Sequence, residues 1–213
     1  MMFELILVAA AAAAPDHVEI VRKHAPKQRY ALEYKNDDQQ LKLSKTFKGT
    51  ALVKAVEGKK TTFDVTLDSL EWVSNGKDKR TASGVKLKVE VNDGAASAEV
   101  VAPGSLGDDA EFELTSFEQM MGDICVPPKG PYYPKQPLVE GSTQWELLSH
   151  DTEKKIVRLK STPAVDKPDP FTCEVSISLD DGFAGERNSS MRLQLGGKGL
   201  NVDQKQSFKA KKL

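Results

Sequence analysis

Apolar and polar residues alternate along most of this chain, and that alternation limits what it can fold into. Val85, Leu87, Val89 and Val91 are interleaved with Lys86, Lys88 and Glu90. Phe171, Cys173, Val175, Ile177 and Leu179 are interleaved with Thr172, Glu174, Ser176 and Ser178. The same period recurs at Leu41 and Leu43, at Phe63, Val65 and Leu67, at Val157 and Leu159, and at Leu193 and Leu195. Successive side chains of a strand point to opposite faces, so a period of two predicts strands with one buried and one wet face. That is the habit of antiparallel sheets. Turn residues separate the runs: Asn36-Asp37-Asp38, Glu57-Gly58-Lys59, Asn75-Gly76, Asn92-Asp93-Gly94, Asp181-Gly182 and Gly196-Gly197-Lys198-Gly199. Asn75-Gly76 and Asp93-Gly94 are the sharpest, because both residues of each tolerate positive φ. About ten regularly spaced strands predict a mainly β protein, an antiparallel meander forming a sandwich or an open half-barrel.

One segment has a different period. Phe117, Met120, Met121 and Ile124 fall at i, i+3, i+4 and i+7, one face of a helix spanning 116–125. Ser116 with Gln119, or Thr115 with Glu118, can cap it, and Pro127 and Pro128 end it. Cys125 borders its apolar stripe, while Cys173 lies on the apolar face of a predicted strand. A helix packed on the sheet would bring both thiols between the layers. A Cys125–Cys173 disulfide is therefore expected, with two buried thiols acting as small hydrophobes as the alternative. Val126 to Pro137 carries five prolines and two tyrosines, which reads as a stiff extended connector. It divides the chain into halves, 16–125 and 138–213, that form one sheet or two.

Leu5 to Ala14 is a continuously apolar run of ten residues. It is shorter than the roughly 20 needed to span a bilayer, and no other run suggests a transmembrane segment. It fits the core of a signal peptide, with small residues for cleavage. Glu4 departs from the usual basic start, and Pro15 moves the cut earlier than Ala14. A retained apolar helix is the alternative reading. Residues 1–14 are thus expected to direct export, leaving 15–213 as one β-rich domain in the periplasm or secreted medium, where cysteines oxidise.

Lys plus Arg number 30 and Asp plus Glu 31, so there is no basic excess of the kind that binds nucleic acid. The three histidines, His17, His24 and His150, have no metal-ligand spacing, and CxxC and HExxH are absent. No metal or cofactor is expected. Asp37-Asp38, Asp108-Asp109 and Asp180-Asp181 read as solvated turns. There is no Gly-x-Ser-x-Gly elbow. The reading is a non-enzymatic binding or carrier protein for an apolar small molecule, with Phe117, Met120, Met121, Phe171, Val175 and Ile177 as the candidate ligand face. Trp72 and Trp145 are expected to pack on the core. The alternative is a structural or protein-interaction module of the cell envelope, using the charged strand faces or an edge strand. An enzyme would need a polar cluster assembled from residues distant in sequence.

Residues 138–213 carry a recognisable cadence. Leu138-Val139-Glu140-Gly141 leads into a strand with Trp145, then a charged strand, then an apolar strand ending at Asp180-Asp181-Gly182, then two closing strands. This resembles secreted bacterial β-rich proteins of unknown function, although Gly141 to Trp145 is more widely spaced here than in their pattern. The exported, sheet-rich organisation is also similar to lipoprotein carriers, whose half-barrels hold acyl chains. The resemblance implies export and a β-rich fold, and it carries over no catalytic residue.

Overall fold

Strand β5, Val85–Asn92, follows its sequence pattern: Val85, Leu87, Val89 and Val91 are buried, and the lysines between them are exposed. The computed structural model describes residues 17–39, 42–92, 95–106, 130–140, 143–163, 171–195 and 200–213. Twelve strands run through them: β1 (Arg29–Asp38), β2 (Leu43–Glu57), β3 (Lys60–Ser74), β4 (Asp78–Ala82), β5, β6 (Ala95–Ala102), β7 (Leu138–Glu140), β8 (Thr143–Asp151), β9 (Ile156–Pro163), β10 (Phe171–Ser178), β11 (Phe183–Leu195) and β12 (Leu200–Lys212). Among the described residues there is no helix. The predicted helix 116–125, with Phe117, Met120, Met121 and Cys125, lies outside them, as do residues 1–14.

All twelve strands belong to one open antiparallel sheet, ordered β6-β5-β3-β2-β1-β12-β11-β10-β9-β8-β7, with β4 pairing β3. The two halves of the chain are two meanders spliced where β1 pairs with β12, from Tyr30↔Lys212 to Asp38↔Gln204. The sandwich expectation is corrected by this splice. Pairing the first strand to the last merges the two meanders edge to edge, so they do not stack face to face.

Tight turns join the strands where Gly58, Asn75, Gly76 and Gly182 adopt positive φ. The turn expected at Asn36-Asp37-Asp38 is instead the end of β1. Those residues pair with Lys45, Ser44 and Leu43 on one side and with Gln206, Lys205 and Gln204 on the other, and two ladders outweigh a local turn preference. At Gly49 the β2–β3 register shifts, and a Cβ there would run into the Thr66 carbonyl. Glycine permits that close approach.

A strap of residues 17–28 crosses one end of the inner face. It exchanges backbone hydrogen bonds with β2 (Lys27 N to Val53 O and Val53 N to Gln28 O, both 2.8 Å) and with the segment before β7 (Val18 and Tyr132, 2.9 Å each way). Lys23 N donates to the Asp181 carbonyl in the β10–β11 turn. The adjacent His24 packs edge-on against Phe63 of β3, with ring centroids 5.5 Å apart. In a flat sheet those two places would stand four to five strand spacings apart, about 19–24 Å. The sheet therefore bends round its inner face, and the strap floors one end of the bend.

Candidate functional site

Direct cross-strand partners share a face, so the register sorts the inner surface into rows. Nearest the strap run Val53, Phe63 and Val89, and next to them Tyr30, Ala51, Val65 and Leu87. One step further along are Ala210, Leu32, Gly49, Leu67 and Val85, joined on the C-terminal side by Ile177 and Val157. The next row is Leu147, Leu159, Val175, Arg187, Phe208, Tyr34, Phe47, Leu70 and Ala82. Most of these side chains are buried and form one apolar cluster with Val18 and Tyr132. The predicted ligand-face residues Val175 and Ile177 belong to it, at 6% and 0% exposure. Phe171 opens β10 opposite Met191. Phe117, Met120 and Met121 lie outside the described residues.

The row furthest from the strap that runs unbroken across the sheet has different chemistry. Leu138, Trp145, Ser161, Cys173, Ser189, Gln206, Asn36, Lys45, Trp72 and Arg80 are consecutive direct partners across ten strands. Polar side chains occupy its centre, and the two tryptophans, partly buried against the core, stand on either side. Ser161 is fully buried, and among the described residues its hydroxyl has no hydrogen-bond partner; the buried Asn36 Oδ1 atom likewise has none among them. Ser189 Oγ lies 3.5 Å from Gln206 Oε1, a long contact. Cys173 is buried in the middle of the row. Its expected partner Cys125 is outside the described residues.

Ionisation follows burial on this face. The Tyr34 hydroxyl is pushed up to about 12 by burial, partly offset by its hydrogen bond with Asn36. Burial also raises the Tyr132 hydroxyl, with the Glu140 charge adding to it. His24 is driven down to about 4 by burial and by the charges of Arg22 and Lys212. The Tyr30 hydroxyl lies 3.1 Å from both Asp181 Oδ2 and Gln28 Oε1, which ties β1 to the strap and to the β10–β11 turn.

The outer face is charged and wet. Lys60–Glu90, Lys88–Glu90, Lys54–Asp64 and Lys79–Glu71 pair across or along strands at 2.7–3.1 Å. Across β1, β12, β11, β10 and β9 it dips into an open trough of about 460 Å³. Its lining is charged and hydroxylic, with Lys35, Asp37, Lys160, Glu174 and Lys205, and Cys173, Ser189 and Gln206 of the sheet's middle strands border it as well. Lys35 pairs with Asp37 at 2.7 Å, and Thr172 and Ser190 share a hydroxyl hydrogen bond of 2.8 Å.

Among the described residues no group of three or more His, Cys, Asp or Glu could hold a metal ion. No helix among them is long and apolar enough to cross a membrane. Sequence reasoning placed Val175, Ile177, Trp72 and Trp145 but missed Asn36, Ser161, Arg187, Ser189 and Gln206. Ser161 could have been found, because it continues the Val157–Leu159 alternation. The others sit in stretches without alternation, and only long-range pairing gives them a face.

No protein-family model matches the chain, and no curated protein matches it. Among solved structures it is similar to the hypothetical protein CT021 from Chlamydia trachomatis, at 10% identity over 88% of each chain with a TM-score of 0.31. A likeness at that score carries no argument about this chain.

Proposed function

We propose that this is an exported, non-enzymatic binding or carrier protein whose inner sheet face, read as a half-barrel, takes an apolar ligand. One observation carries the reading: a continuous apolar surface lines one side of a single bent sheet, from Leu87 on β5 to Val157 on β9. Bent sheets with an apolar inner wall are suited to enclosing such molecules. The strap gives the site a floor, and the apolar segment at Leu5–Ala14 supports export. A Cys125–Cys173 bridge would then tie residues 116–125 to the inner wall in an oxidising compartment. Native mass spectrometry of the purified mature protein, followed by organic extraction, tests the reading. A co-purifying apolar molecule at one per chain is expected; a clean apo mass with an empty extract would count against it.

A second reading, an interaction module of the cell envelope, is favoured by the outer trough. Lys160 and Lys205 there have no ion-pair partner among the described residues, which suits an acidic protein surface. Self-association or partner binding that disappears at high salt would support it.

A further inference from the structure

We infer that the outer trough binds an acidic glycan, a chain of sugar hydroxyls that carries carboxylate groups at intervals. This goes beyond the apolar ligand of the inner face. It gives the trough of the interaction-module reading a carbohydrate occupant in place of a protein one.

Register explains why the outer face dips there. Two neighbouring rows point outward across the middle of the sheet. One runs Lys160, Glu174, Asn188, Ser207 and Lys35, the other Thr172, Ser190, Lys205 and Asp37. Among the long charged residues stand Thr172, Asn188, Ser190 and Ser207, whose short side chains leave the volume of about 460 Å³ open. Each of these four can both donate and accept hydrogen bonds. Part of the charge is already paired: Lys35 lies 2.7 Å from Asp37, and Arg158 approaches Glu174 at 3.6 Å. Lys160 and Lys205 have no ion-pair partner among the described residues. They stand three strands and two residues apart, about 16 Å between Cα atoms. Compact charges on flexible stems at that separation suit anionic groups repeated along a chain rather than a single small anion.

The rest of the lining selects among acidic chains. Among the described residues that line the trough there is no aromatic residue and no Val, Leu, Ile or Met. A folded protein surface would find no apolar centre to bury there, which is the usual core of such interfaces. A neutral sugar would find no ring to pack against, so charge has to supply the affinity. An extended peptide joins a sheet at its edge. The five strands under the trough are instead interior, paired on both sides, so their backbone groups are already engaged. A glycan needs neither an apolar centre nor an edge. Its hydroxyls exchange hydrogen bonds with the short polar side chains, while its carboxylates meet the two lysines.

Isothermal titration calorimetry of the full-length protein tests this with three probes: oligogalacturonate, a neutral malto-oligosaccharide of the same length, and polyglutamate with the same number of carboxylates. Oligogalacturonate is expected to bind about tenfold more tightly than either of the others. Its affinity should collapse in about 1 M salt, where charges are screened beyond about 3 Å. Lys160→Gln combined with Lys205→Gln should weaken it about fivefold to tenfold. Lys88→Gln, on the outer face beyond the trough, should leave it unchanged, and thermal melts report that both variants are folded. N-phenyl-1-naphthylamine, a neutral apolar dye directed at the inner face, should not displace the glycan. Polyglutamate binding as tightly as the glycan overturns the glycan assignment and leaves the interaction-module reading standing. Equal binding of the neutral oligosaccharide, no binding of oligogalacturonate, indifference to the paired lysine substitution, or displacement by the dye overturns the site itself.

Discussion

At the strapped end of the inner face, Tyr30, Phe63, Val65 and Leu32 are no more than 1% exposed. Backbone hydrogen bonds donated by Lys23 and Lys27 and accepted by the Gln28 carbonyl close the chain over that end. At the far end, the row from Trp145 to Trp72 holds serines, a cysteine, a glutamine and an asparagine, and the buried Ser161 Oγ and Asn36 Oδ1 have no hydrogen-bond partner among the described residues. The same strands build both ends. The first is mostly aliphatic and aromatic, with the buried Thr61 and Tyr132 hydroxyls and the His24 imidazole as its polar members. The second is polar across five adjacent strands, from Ser161 to Asn36.

This contrast can be broken most sharply at Phe63. Phe63→Ala should cost about 3–5 kcal/mol, because the ring is wholly buried and truncation leaves a cavity. Urea denaturation measures it, and a loss below 1 kcal/mol would show that the strapped end is not the stabilising one.

His24 comes next. Its native pKa, about 4, lies below the ordinary 6.5 because burial, then Arg22 and Lys212, disfavour the imidazolium. The unfolded chain therefore takes up the proton first as pH falls. Stability is full above about pH 6.5 and declines toward pH 4, by about 3 kcal/mol in total from this residue. The difference between wild type and His24→Gln, followed by thermal melts across that window, isolates the effect. Parallel curves would contradict it.

Gly182 has φ +64°, and a Cβ there would meet the Val21 carbonyl of the strap. Gly182→Ala should cost about 2 kcal/mol and speed amide exchange at Val18 and Lys23 before the rest of the sheet. Ser161→Ala should do the opposite of Phe63→Ala. Removing a buried hydroxyl that has no partner among the described residues is neutral or stabilising by up to about 1 kcal/mol. On the outer face, Lys60 and Lys88 hold the Glu90 carboxyl below its usual range. Because these groups face water, Glu90→Gln should leave the denaturation midpoint unchanged.

The strand content was legible because alternation is local. Phe171 to Leu179 announces its buried side, and Val175 and Ile177 are where that pattern puts them. Strand order was not legible. The splice of β1 onto β12 joins residues at opposite ends of the chain, and no local pattern encodes it. The same pairing absorbed Asn36-Asp37-Asp38 into a strand against its turn-like composition. Glu186 to Ser190 has no alternation, so the inward side of Arg187 follows only from its partners Val175 and Phe208. The polar row was hidden for the same reason: its members are strangers in sequence and neighbours only in register.

The inner face, rather than the charged outer one, is expected to take the apolar ligand. Energy transfer from tryptophan to bound N-phenyl-1-naphthylamine tests it most directly, since Trp72 and Trp145 both lie on the inner row. Sensitised dye emission that saturates at one dye per chain and drops in Trp145→Phe is expected. Emission that never saturates, or transfer indifferent to that substitution, would contradict it.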